Sequence, residues 1–230
     1  MLRRNFSEAF RIFAPLGAAM ALGLYTGGPD MIRALHSGFS AKGHMHQVML
    51  LVCTLFGIWA AVAWHRFVLL QEKGGTFPAF HPQLMIRYFG KSLLVLACAL
   101  FACVMIGFVV IAYSRRVDVL LFAGLATAWA TGLWLFYRLS PVLPASALGY
   151  YMGLERAWRA TAGKSGALFL AGLLLMICHL AASTCAIIFF AEVHRLIGAG
   201  LFVVVQLLSL IWGLCILTTI YGVTVEGREI

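Results

Sequence analysis

The sequence contains few charged residues and very few acidic ones. Only 11% of its 230 residues are charged, whereas 63% are hydrophobic. Eight residues are acidic, and all lie outside or at the ends of the apolar runs: Glu8, Asp30, Glu72, Asp118, Glu155, Glu192, Glu226 and Glu229. A soluble domain of this length could not bury so much apolar surface. The composition therefore predicts an all-α, polytopic membrane protein.

Sequence motifs that are typical of metal sites and catalytic sites are also scarce. None of the six cysteines belongs to a C-x-x-C pair, so neither a disulfide framework nor a zinc site is indicated. There is no H-E-x-x-H motif, and no acidic residue falls at the middle of an apolar run, where ion-coupled transporters usually need one. These absences argue against an enzyme and against ion-coupled transport, and we expect no cofactor.

The net charge of +9 does not indicate nucleic acid, because the basic residues are spread over the ends of apolar segments. Lys and Arg in such places meet lipid headgroups. A helix needs about 20 apolar residues to cross a bilayer core. Six segments meet or approach this length, and we expect six spans: 12–28, 47–69, 92–113, 117–138, 166–191 and 197–222.

Counting basic residues predicts the orientation of these spans. With both termini in the cytoplasm, twelve Lys and Arg residues lie on the inner side and five on the outer side. Positive residues favour the cytoplasmic side of a membrane. We therefore expect a bacterial inner-membrane protein with both termini cytoplasmic.

Three segments that precede spans have amphipathic spacing, at 4–13, 82–89 and 153–162. This spacing is typical of short helices that lie in the headgroup plane. The sequence Gly-Lys-Ser follows two of them, at Gly90 and Gly163, where we expect the chain to turn into the bilayer.

An amphipathic segment thus precedes a pair of spans three times along the chain. This suggests that the chain is one membrane domain, 1–230, with three pseudo-repeats of about 1–78, 79–150 and 151–230. Each would hold an interfacial helix and a two-span hairpin. Convergent interface chemistry is the alternative interpretation.

The two Gly-Lys-Ser sequences are not nucleotide-binding loops. A phosphate-binding loop has the pattern G-x-x-x-x-G-K-[ST] after a strand. Its first glycine is replaced by Met85 in one copy and by Trp158 in the other. We expect neither a nucleotide nor a nucleic acid as partner.

Several motifs carry a resemblance to a known group. They are SEAFRIFA near the start, AVAWHRFVLL after the second span, and YRLSPVLPASALG followed by LERAWRATAGK. Together they resemble uncharacterised bacterial inner-membrane proteins with six helices, which are similar in turn to the integral-membrane domain fused to some glycerophosphodiester phosphodiesterases. The best matches are Arg138, Leu143-Pro144 and the segment 158–163. The resemblance implies architecture and no phosphodiesterase activity, because that catalytic domain is not in this sequence.

The candidate binding residues are basic and aromatic side chains at the predicted inner interface: Arg66, Lys91, Arg138, Trp158, Arg159 and Lys164. Arginine is a bidentate donor to phosphate, so these residues are candidates for binding anionic lipid or a membrane-protein partner. Ordinary snorkelling of Arg and Lys in an aromatic belt is the alternative.

Three histidines are candidate metal or cofactor ligands. His179 lies in the middle of the fifth predicted span, and His44 and His46 lie in the first outer loop. An ionisable residue at membrane depth is a functional candidate. A hydrogen bond between helices is the simpler interpretation of His179, and a solvated loop that of His44 and His46.

Small residues recur at helical spacing in the first and fourth predicted spans: Ala19, Gly23 and Gly27, then Gly124, Ala128 and Gly132. Such rows let helix backbones approach closely.

Taken together, these patterns favour a non-enzymatic scaffold, assembly factor or accessory subunit that acts through lipid or protein contacts. A lipid or small-molecule transporter, and a haem- or metal-binding subunit that uses His179, are the alternatives.

Overall fold

A computed structural model describes residues 6–37, 44–72, 77–113, 119–190 and 195–229, and in this part of the chain it is helical without strands. The helices are α1 Phe6–Ser37, α2 His44–Leu70, α3 Pro82–Tyr113, α4 Val119–Leu139, α5 Val142–Ala147, α6 Leu154–Ala160, a 3-10 helix Ala162–Lys164, α7 Ser165–Ile188 and α8 Arg195–Thr224. The prediction of an all-α fold is confirmed.

Four helical segments of the described chain are long and apolar enough to cross a membrane: Gln47–Leu70, Pro82–Ala112, Ala162–Ile188 and Ile197–Thr224. Many of their large side chains are exposed, including Phe101 and Phe108 of α3. Exposed apolar surface of this extent is unfavourable in water and favourable against lipid. The remaining two predicted spans overlap α1 and α4.

Two of the three predicted interfacial helices are not separate helices. The described part of 4–13 continues through Pro15 into the rest of α1, and 82–89 continues through Gly90 into the rest of α3. A glycine inside a helix costs about 1 kcal/mol and a proline about 3 kcal/mol. Breaking the helix would leave several backbone groups unpaired, and in lipid each of them costs several kcal/mol. The third predicted segment, 153–162, does contain a separate helix, α6.

The continuity of α3 predicts the effect of a substitution at Gly90. A Cβ added there meets nothing within 4 Å. We expect Gly90→Ala to stabilise the protein by about 0.5–1 kcal/mol, because alanine loses less backbone entropy in a helix. Thermal unfolding in mild detergent measures the change. Gly149→Ala is the opposing control, because Gly149 has a φ of +85° and should lose stability when it carries a Cβ. A destabilising Gly90→Ala would show that the chain must bend at Gly90.

The chain forms two compact units: unit 1 is Met1–His81 with Cys178–Leu214, and unit 2 is Pro82–Ile177 with Cys215–Ile230. In unit 1, α1 packs on α2 through aromatic side chains, with the rings of Phe13 and Trp64 5.8 Å apart and those of Trp64 and Phe67 6.0 Å apart. The predicted pseudo-repeats stay a prediction, and only the boundary near 78 lies close to a unit boundary.

Unit 2 is built on the close approach of α3 and α4. A Cβ on Gly124 would lie 2.3 Å from Val110, and one on Gly132 would lie 2.1 Å from the Sγ of Cys103. Ala128, between these glycines, is buried. The predicted small-residue row of the fourth span therefore does allow close helix packing. The short helix α5 packs against α3, and all six of its residues are buried.

Candidate functional site

The α-helix is interrupted at the second Gly-Lys-Ser, between α6 and α7, and polar side chains contact the backbone there. The guanidinium of Arg138, at the end of α4, donates from Nη2 to the carbonyl oxygen of Trp158 (2.6 Å) and from Nε to Oγ1 of Thr161 (3.0 Å). The Thr161 hydroxyl also lies 2.9 Å from the carbonyl oxygen of Ala157. The carbonyl oxygen of Ala157 also accepts the backbone N–H of Thr161 at 3.1 Å. That of Trp158 lies in the last turn of α6, where carbonyl groups need partners because the helix stops. The first Gly-Lys-Ser differs, because Ser92 only donates back to Tyr88 within the continuous α3.

Arg138 is buried, with 5% of its surface exposed, and it is enclosed by aromatic rings. Its guanidinium lies 3.9 Å from the ring centroid of Trp158 and 5.6 Å from that of Trp134, both within cation–π range. Nη1 donates to the hydroxyl of Ser165 at 3.2 Å. Among the described residues no carboxylate forms an ion pair with Arg138. Its positive charge is therefore held by neutral acceptors and π faces.

The other predicted binding residues of unit 2 are more accessible. Lys164 is exposed, and Arg159 is exposed and paired with Glu155 one helical turn away at 2.7 Å. Lys91 is half-buried, and its Nζ lies 5.2 Å from the ring centroid of the exposed Tyr151. Trp158, which covers Arg138, is 37% exposed. We call Lys91, Tyr151, Trp158, Arg159 and Lys164 the basic–aromatic surface of unit 2.

Arg66 belongs to unit 1, where it has an acidic partner. Its Nε donates to Oε2 of Glu72 at 2.7 Å, and its Nη2 contacts the same oxygen. The other carboxylate oxygen of Glu72 lies 3.1 Å from Nε2 of His81. Glu72 thus bridges the end of α2 to the residue that precedes α3.

The ionisation of Glu72 follows from these contacts. Partial burial raises the pKa of its carboxyl group, but the hydrogen bonds from His81 and Arg66 and the charge of Arg66 lower it further than burial raises it. The net result is a pKa below the ordinary value, so Glu72 is ionised near neutral pH.

These residues line a small cleft in unit 1, which we call the arginine cleft. It has a volume of about 310 Å³ including its open mouth. Its lining residues are Arg11, Ile12, Ala63, Arg66, Phe67, Glu72, Pro78, Ala79 and His81. Arg11 is also paired with Glu8 on the same helix.

His179 forms a hydrogen bond between two helices, as its simpler interpretation predicts. Its Nδ1 lies 2.8 Å from Oγ of Ser209 on α8. The described residues contain no group of three or more His, Cys, Asp or Glu side chains placed to hold a metal ion. The side chains of His44 and His46 lie outside the described residues, although α2 begins at His44.

Sequence reasoning missed four residues of these sites. Thr161 and Ser165 hold Arg138, Glu72 holds Arg66, and His81 contacts Glu72. Thr161 and Ser165 are spaced by one helical turn in the motif that also contains Trp158, which is a usable signal. Glu72 is one of only eight acidic residues and directly follows the second predicted span. His81 offers no comparable signal, because only folding brings it to Glu72.

Comparison with protein-family models, with curated proteins and with solved structures gives no match.

Proposed function

We propose that the protein is a non-enzymatic scaffold, assembly factor or accessory subunit of the bacterial inner membrane. In this proposal it acts by binding anionic lipid headgroups, or a membrane protein held in the same headgroup layer. Arg66 of unit 1 and the basic–aromatic surface of unit 2 make the contacts. Arg138 acts indirectly, because it positions Trp158 and the end of α6.

The observation that carries the proposal is the contrast between Arg138 and the residues beside it. The buried Arg138 has three hydrogen bonds within the chain and holds the end of α6 in place. The neighbouring Arg159 and Lys164 are exposed, and Trp158 is partly exposed. Exposed cations with interfacial aromatic rings suit anionic headgroups, since the charge attracts phosphate and the rings rest at headgroup depth.

The proposed topology has six spans with both termini cytoplasmic. It includes α1 and α4 as spans beside the four segments that are long and apolar enough on their own. The 32 residues of α1 extend about 48 Å, which exceeds the hydrocarbon thickness of about 30 Å. This length allows the part of α1 that contains Glu8 and Arg11 to lie in the headgroup layer. The threefold repeat and the resemblance to the six-helix inner-membrane group belong to the same proposal.

A charge-removal experiment tests the proposed function. In the triple variant Lys91→Gln, Arg159→Gln, Lys164→Gln we expect co-purifying anionic phospholipid or protein partner to fall by about half or more, because each basic residue contributes about 1 kcal/mol of attraction to an anionic surface. The measurement is mass spectrometry of lipids and proteins after purification in mild detergent.

The matched control is Arg115→Gln with Arg116→Gln, which removes two charges from the predicted outer side. We expect this control to leave the bound lipid and partner unchanged. An equal fall in both variants would point to non-specific charge attraction. No fall in either one, together with a haem spectrum that disappears in His179→Ala, would replace the proposal by the cofactor alternative.

A further inference from the structure

The arginine cleft of unit 1 has more hydrogen-bond donors than the described residues satisfy. Nε of Arg11 is buried and has no acceptor among the described residues. Arg11 and Arg66 both line the cleft, together with His81. Glu72 is the single acidic residue of the lining, and it already accepts from Arg66 and faces His81.

The chemistry of these donors suits a phosphate group. Two guanidinium groups present planar, directed N–H groups, which match the oxygens of a phosphate better than those of a neutral ligand. The apolar part of the lining, formed by Ile12, Phe67 and Pro78, offers no charge that would repel an anion. Its volume of about 310 Å³ includes open solvent at the mouth, so the enclosed part is too small for a whole lipid and leaves room for a small group only.

We propose that the arginine cleft binds one phosphate group through Arg11 and Arg66, and that Glu72 is an internal competitor for that phosphate. The carboxylate of Glu72 occupies Arg66 when the cleft is empty and is displaced when a phosphate enters. The phosphate belongs either to an anionic phospholipid or to a free phosphate compound. This inference rests on the proposed function in placing the cleft at the headgroup layer, but it concerns unit 1 alone.

Removing the charge of Glu72 is expected to strengthen phosphate binding. A purely structural role of Glu72 does not predict such a gain. Glu72→Gln keeps the size of the side chain and removes its charge. We expect this variant to bind dihexanoyl phosphatidic acid about three- to tenfold more tightly than the unmodified protein, which corresponds to roughly 0.7–1.4 kcal/mol. Isothermal titration of the full chain in mild detergent measures the affinity. Glu229→Gln, which removes an exposed carboxylate of unit 2 that is not paired with any of the proposed binding residues, is the matched control and should change nothing.

Inorganic phosphate is titrated in parallel to identify the source of the group. Tighter binding of both probes assigns the cleft to free phosphate compounds, and tighter binding of the lipid alone assigns it to a phospholipid headgroup. Arg11→Gln in the otherwise unmodified chain should weaken binding of the same probe, because Arg11 supplies donors to the phosphate and its own carboxylate partner is Glu8, not Glu72. The gain from Glu72→Gln should also disappear when Arg66 is replaced by Gln.

The inference is overturned if Glu72→Gln and Arg11→Gln both leave the two affinities unchanged, or if the gain persists without Arg66. Should Glu72→Gln fail to fold, weaker binding by Arg11→Gln alone supports the phosphate site and unchanged binding overturns it. The triple variant of unit 2 separates the two proposals. An effect in the cleft without an effect of the triple variant rejects the basic–aromatic surface and retains the phosphate site.

Discussion

Replacing Arg138 by glutamine is expected to lower the free energy of unfolding by about 2–4 kcal/mol, because it removes three charge-assisted hydrogen bonds from a buried group. The carbonyl oxygen of Trp158 and the hydroxyl of Thr161 would lose the guanidinium as a donor, whereas the hydroxyl of Ser165 would keep its other donor, Nε1 of Trp134 at 2.8 Å. Trp158 would also lose the cation beneath its ring. The drop should appear as a thermal transition about 5–15 °C lower in mild detergent.

Two further variants make this prediction specific. Arg138→Lys keeps the charge, but an ammonium group cannot reproduce the planar stacking and the three separate donor directions, so we expect an intermediate loss. Arg159→Gln removes an exposed arginine that is paired with the exposed Glu155, and we expect a change below about 0.5 kcal/mol. Equal transitions for Arg138→Gln and Arg159→Gln would contradict the role assigned to Arg138.

Gly132→Ala is expected to destabilise unit 2 by about 1–3 kcal/mol through overpacking between α3 and α4. The added Cβ would lie 2.1 Å from Sγ of Cys103 and 3.3 Å from the carbonyl oxygen of Ala99. The Cys103 thiol donates to the carbonyl oxygen of Ala128 at 3.2 Å, so the side chain is not free to move aside without cost.

Replacing Cys103, whose thiol the added Cβ would meet, should restore part of the stability that Gly132→Ala loses. We expect Gly132→Ala with Cys103→Ala to be more stable than Gly132→Ala alone, which a double-mutant cycle of unfolding temperatures detects. Gly107→Ala on α3 is the control, since a Cβ there meets nothing within 4 Å. Additive effects of the two substitutions would show that the helices are not in contact at Cys103.

The candidate site could be anticipated only in part from the sequence. Arg66 and Arg138 both lie at the end of a predicted span beside aromatic residues, and this shared pattern made both of them candidate binding residues. The structure gives them different surroundings, since Arg66 is paired with Glu72 and Arg138 is held by neutral groups. An arginine reveals that a phosphate or carboxylate is a suitable partner, but it does not reveal whether the chain itself supplies one.

The sequence by itself determined the helical class and the approximate positions of the long helices. In an apolar environment every backbone group must find its hydrogen-bond partner within its own segment. The composition and length of a stretch of about 20 residues are therefore enough to predict a membrane-spanning helix. Tertiary structure decided at which Gly-Lys-Ser the α-helix is interrupted. Both copies have the same three residues, but only the second lies near Arg138, whose guanidinium donates to the carbonyl oxygen of Trp158 at the end of α6 and to the hydroxyl of Thr161. Arg138 reaches this corner from a different helix, 20 residues earlier than Trp158 and 23 earlier than Thr161, and no local pattern records such a contact.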